Sequence, residues 1–142
     1  MHRTWSIGTA LGGVAVARRR ASRAFAEAGL DAREVQVLVL LVSELVTNAL
    51  VHARPPVRLV IDVDGERTRI EVRDAATRVP HVRSAAISAV GGRGLVLVDD
   101  LATRWGTRVD DDGKTVWLEL ERATPASAAA TAGAGWRTAA RA

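Results

Sequence analysis

The stretch that decides the fold is VLLVSELVTNALVHA, residues 39–53. Its VLLV opening would suit a buried strand. However, no glycine or proline occurs from residue 30 to residue 53, and a run of that length predicts a single helix over about 32–51. Asp31 stands ahead of it as an N-cap, with Glu34 three residues on completing a capping-box pair. Arg54-Pro55-Pro56 ends it, since the residue before a proline is pushed out of the helical region. Within this apolar helix Glu44 and Asn48 are four apart, which puts both on one face, one turn from each other. A carboxylate and a carboxamide in such surroundings need partners, because unpaired buried polar groups are costly. A hydrated divalent cation satisfies both: the amide lends an oxygen, and the carboxylate orients or deprotonates a group beside it. Spacing alone accounts equally well for a structural pair that bridges neighbouring elements.

Outward from this helix, residues 4–7 read as a short edge strand. Residues 13–28 read as a helix with Val14, Ala17, Ala21, Ala24 and Phe25 at helical spacing, ended by Gly29. On the other side Val57, Leu59, Ile61 and Val63 alternate, Asp64-Gly65 turns, and Ile70 and Val72 continue on the return strand. Asp74 falls on the same face as Ile70 and Val72, and an acid ending a core-facing row points to ligand recognition. Residues 75–92 lack periodicity and have the length of a lid. The cluster Gly91, Gly92 and Gly94 opens a helix over about 93–102. A second hairpin uses 104–109 and 114–121, turning on Asp110-Asp111-Asp112-Gly113. The order β-α-α-β-β-(lid)-α-β-β gives an α+β two-layer α/β sandwich on a mainly antiparallel sheet. From Ala123 the composition collapses to Ala, Thr, Gly and Ser. The expected division is therefore a domain over 1–122 and a disordered Ala-rich tail over 123–142, in which Trp136 and Arg137 stand out.

A chain of 142 residues fits one domain. Hydrophobic residues make up 48% and aromatics only 4%, so aliphatic side chains must build the core. The absence of cysteine excludes disulfides, thiolate metal sites and a cysteine nucleophile, and fits a reducing cytoplasm. Neither a signal-peptide pattern nor an unbroken apolar run of membrane-spanning length is present, so the expected location is cytoplasmic, without a membrane partner. Net charge is +4, carried by arginine rather than lysine. The 16 acidic residues are interleaved with the basic ones, which argues against direct nucleic-acid binding. The one dense basic run is Arg18-Arg19-Arg20 with Arg23 beside it, of which Arg19, Arg20 and Arg23 are a candidate docking face for an acidic partner or a solvated helix face.

SELVTNALVHA, then DAATR, then GGRGL, then GKTVWLELE resemble, in this order, the boxes of the nucleotide-binding fold shared by gyrase, histidine kinases and mismatch-repair ATPases, the Bergerat or GHKL fold. The resemblance covers roughly residues 4–121. It is strongest to the anti-sigma-factor serine kinases and their actinobacterial relatives. It implies ATP with Mg²⁺ as cofactors. Asn48 matches the position that ligates Mg²⁺, and Glu44 the position proposed as general base. Asp74 matches the acceptor for the adenine amino group, and Thr115 a threonine that helps hold the same base. Gly91, Gly92 and Gly94 match the glycines that let backbone approach phosphate, where helix N-terminal N–H groups favour anions. Arg93 would reach the γ-phosphate or face solvent. The sequence departs from the family pattern at Ala76, where a glycine is usual and a methyl group would crowd the base. His52 reads as structural rather than catalytic. The implied partners are a sigma factor, a STAS-type antagonist phosphorylated on Ser or Thr, and a second copy of the chain. A non-catalytic interaction module that uses nucleotide as a structural ligand is the rival reading.

Overall fold

In the computed structural model the described residues are 1–10, 12–52, 54–77 and 92–122, with side chains in the last segment from residue 95. The elements are β1 (His2–Ile7), α1 (Gly13–Glu27), α2 (Ala32–His52), β2 (Val57–Val63), β3 (Arg67–Asp74), α3 (Gly92–Leu101), β4 (Arg104–Asp110) and β5 (Gly113–Glu121). The five strands form one sheet in the order β1-β2-β3-β5-β4, every neighbouring pair antiparallel. Both the two-layer α+β architecture and the element order agree with the sequence reading. The expected lid falls mostly, and the expected tail wholly, outside the described residues.

The helices cover one face of the sheet. In α1 the residues at helical spacing, Ala17, Ala21, Ala24 and Phe25, are buried. Gly29 follows in the left-handed region at φ 78°, as a helix-ending glycine should. Asp31 Oδ1 then accepts from the backbone N–H groups of Arg33 and Glu34, while Glu34 Oε2 accepts from Asp31 N–H. That reciprocal box contributes about 0.5–2 kcal/mol to starting α2 where it starts. The length and composition of α2 would let it cross a membrane, yet Leu38, Leu41, Val42, Leu45, Val46 and Ala49 form a buried row along it.

Alternation sorts the strand residues cleanly. Leu59, Ile61 and Val63 of β2, Ile70 and Val72 of β3 and Leu118 of β5 pack under the helices. The opposite face carries Arg69, Glu71, Arg73, Thr115, Trp117 and Glu119. There Glu119, almost fully buried, accepts from Arg67, Arg69 and Arg104. The Arg69 guanidinium also lies 4.5 Å from the Trp117 ring centroid.

Candidate functional site

Asn48 and Asp74 lie toward the ends of α2 and β3, two elements in contact, and α2 also packs against α3. One backbone bond fixes these ends: Ala75 N–H donates to Arg54 O at 2.9 Å, tying the residue after β3 to the segment that leaves α2. Asn48 lies on the last turns of α2. Glu44 is one turn earlier, about 40° around the helix axis from it. Both are half-buried, and neither side chain makes a hydrogen bond among the described residues. By contrast their neighbour Ser43 is satisfied by Val39 O at 2.9 Å.

Asp74 ends β3 on the helix-facing side and is 2% exposed. Its Oδ1 accepts from Ala76 N–H at 2.7 Å. Ala76 therefore acts through its backbone to fix the carboxylate, a role that a methyl side chain does not impede. The remaining lone pairs of Asp74 face a second buried charge that the sequence reading did not single out. Lys114 pairs with Asp74 across β3 and β5, and its Nζ lies 3.3 Å from Oδ2. The signal for it was Asp74 itself: an inward carboxylate implies an inward partner, but the residue opposite is set by a register between strands forty residues apart in sequence.

The same register places Thr115. Thr115 is opposite Arg73, so it lies on the sheet face away from Asp74, with its Oγ1 3.5 Å from an Arg73 nitrogen. Successive strand residues point to opposite faces, and the residue that shares Asp74's face is Lys114. Arg73 in turn holds Asp110 through two bonds of 2.7 Å, and that guanidinium keeps the Asp110 carboxyl down at about 2. The tip of the β4–β5 hairpin is thereby clamped beside Asp74.

Gly92 and Gly94 lie in the first turn of α3, one residue earlier than expected. Gly91 is outside the described residues, and so is the Arg93 side chain. The first-turn N–H groups of a helix opened by glycines leave room for backbone to approach an anion. His52 is exposed in the last turn of α2, where an imidazole suits the unpaired carbonyls rather than a packed interior.

The arginine run on α1 divides. Arg23 bonds Glu27 at 2.9 Å, and Arg20 donates to Ser6 O at 3.3 Å. Arg19 is exposed. Arg18, the member left out of the expected docking set, lines a cleft of about 320 Å³ between α1 and α2 together with Ser22, Gln36, Leu40, Ser43 and Glu44. Glu44 is thus reachable from outside along a groove with one basic wall.

These residues fit a nucleotide chemically. A buried carboxylate with free lone pairs can accept from a base amino group. A glycine-opened helix can receive phosphate, and an amide oxygen can complete a hydrated Mg²⁺ shell. Among the described residues no three acidic or histidine side chains form a metal cage, so phosphate oxygens and water would supply most ligands.

The family model for the histidine kinase-like ATPase domain matches residues 9–120. No curated protein is a significant match. The RsbU and RsbW domains of Rv1364c from Mycobacterium tuberculosis are similar in fold, with TM-score 0.65 and 18% identity over 86% of this chain and 33% of that one. The blue-light activated histidine kinase EL346 of Erythrobacter litoralis is similar with TM-score 0.52 and 26% identity over 72% of this chain and 33% of that one. The chain thus spans about a third of the length of each. A family match across the whole helix-and-sheet unit, with Asn48 and Asp74 placed at one end of it, makes this chain a member of the histidine kinase-like ATPase family.

Proposed function

We propose that the chain is an ATP-binding regulatory protein of the anti-sigma-factor type, which passes the γ-phosphoryl group of Mg-ATP to a Ser or Thr of an antagonist protein. ATP binding is the property that the family carries. The finer reading rests on one observation: Glu44, which lines the α1–α2 cleft, and Asn48, one turn on, have side chains without partners among the described residues, on the helix that packs against α3. When bound, Mg²⁺ would neutralise phosphate charge, with Asn48 as the oxygen donor from this chain. Asp74 would orient the base by accepting from its amino group. The N–H groups at Gly92 and Gly94 would hold phosphate oxygens. Glu44 would accept the proton of a hydroxyl entering along the cleft, and Arg18 would attract an acidic flank of that partner. Positioning and charge account for most of the rate in such transfers. A cytoplasmic location, with a sigma factor or STAS-type antagonist as partner, follows from this reading.

A second reading, the non-catalytic module, is favoured by one observation: the Asp74 carboxylate is already engaged by Lys114 and Ala76 N–H. The deciding experiment incubates the protein with γ-labelled ATP and a cognate antagonist. The kinase reading expects label on the antagonist and a loss of about 10²–10⁴-fold in rate for Glu44→Gln with ATP affinity retained. Equal labelling by both proteins leaves the module.

A further inference from the structure

Lys114 is the only lysine in a chain that uses arginine at every other basic position. It is also the one basic side chain among the described residues that is almost fully buried, 7% exposed against Asp74 at 1%. An ammonium carries three N–H donors. Among the described residues the charged acceptor facing it is Asp74 Oδ2 at 3.3 Å, a long contact for an ion pair. Among the described residues its neighbours on that face of the strands, Val72 and Val116, are aliphatic. Taking an ammonium and a carboxylate out of water is expensive, and one long contact does little to offset it. A compact ammonium with donors to spare among the described residues, beside a carboxylate with lone pairs to spare, forms a side-by-side donor and acceptor at the place assigned above to the base.

We propose that Lys114 is a base-reading residue that makes this site accept 6-oxopurine nucleotides as well as ATP. The inference rests on the reading of Asp74 as the residue that contacts the base. The Watson–Crick edge of adenine offers an amino donor next to the N1 acceptor. That of guanine or hypoxanthine offers the O6 acceptor next to an N1–H donor. A carboxylate alone can pair only with the donor. With the ammonium beside it, the pair answers both patterns in two poses of the base: in one Asp74 takes the amino group of adenine while Lys114 donates to N1, and with the base turned over Asp74 takes the N1–H of a 6-oxopurine while Lys114 donates to O6. A charged donor favours the carbonyl O6, so the ammonium moves the preference toward the oxopurines. A lysine fits this place where arginine would not, because its point charge is compact and its donors rotate.

The test titrates the full chain with ATP, GTP, ITP and CTP, all with Mg²⁺, by calorimetry. The expected result is GTP and ITP affinities within about tenfold of ATP, with CTP weaker. Lys114→Thr should then weaken GTP and ITP by about tenfold or more relative to ATP, the loss of one charge-assisted bond. If the wild-type protein binds ATP and discriminates against GTP and ITP by a hundredfold, the inference is overturned and the base site stands. If it binds none of the four, the nucleotide reading of the site fails as well. The wild-type ratio decides the matter even if Lys114→Thr does not fold. The double variant Asp74→Asn with Lys114→Met, which removes the buried charges together, should bind all purine nucleotides more weakly while keeping the helix content of the parent.

Discussion

Gly113 packs directly on the backbone of Asp74: a Cβ at that position would collide with the Asp74 carbonyl oxygen. Its φ of 152° is also one that side-chain-bearing residues rarely adopt. The hairpin between β4 and β5 can therefore close beside the site only with glycine at its base. Gly113→Ala should lower stability by about 1–3 kcal/mol, read as a shift in the denaturant midpoint. It should also weaken ATP binding, because Asp74 must move to admit the methyl group. An unchanged midpoint would mean that the hairpin tip yields freely and does not position Asp74.

Much of this fold is legible in the sequence, for reasons visible in single residues. The apolar row of α2 runs unbroken, and its cap uses the two residues that a capping box requires, Asp31 and Glu34. The alternation in β2 and β3 is enough by itself to turn Asp74 inward. Pairing across distance is what the sequence does not carry. Thr115 and Lys114 are adjacent, and a one-residue difference in register exchanges which of them shares a face with Asp74. The arginine run is equally ambiguous: its meaning depends on Glu27 and on the carbonyl of Ser6, which only folding brings alongside.

Asn48 provides the metal-dependent prediction. An amide that contacts nucleotide only through Mg²⁺ should matter only when Mg²⁺ is present. Asn48→Ala should weaken ATP binding on the order of 1–3 kcal/mol with the metal and leave binding nearly unchanged in chelator. Calorimetry under both conditions separates the two cases. An equal loss in both would make Asn48 a structural residue of α2.

Glu119 sets an acid limit on the fold. Its hydrogen bond from Arg69, reinforced by the charges of Arg67, Arg69 and Arg104, lowers its pKa below the usual glutamate value. A carboxylate whose folded pKa is depressed adds stability that is fully present above its unfolded pKa, near 4.5, and is lost as pH falls through the folded value. Unfolding free energy should therefore decline as the solution is acidified below about pH 4.5. Glu119→Gln should make that decline shallower and lower the plateau at neutral pH by about 1–3 kcal/mol. Denaturant titrations at a series of pH values would show both effects. Parallel curves for the two proteins would assign the acid sensitivity to another group.

The tie between α3 and the sheet provides the last prediction. Trp105 Nε1 donates to Asp99 Oδ1 at 2.9 Å, so an indole on β4 reports directly on the helix whose first turn would receive phosphate. Val98 is the side chain by which α3 enters the buried core, while Val96 and Leu101 are exposed. With Val98 its one fully buried side chain among the described residues, α3 can reposition at modest cost. ATP binding at Gly92 and Gly94 should shift α3 and perturb the indole hydrogen bond. The ATP-dependent change in tryptophan emission should then arise mainly from Trp105, although Trp5, Trp117 and Trp136 also emit. Trp105→Phe should remove most of that change and cost about 1 kcal/mol of stability, the worth of one hydrogen bond. If the variant shows the same emission change on adding ATP, α3 is part of the fixed scaffold, and phosphate binding does not move it against β4.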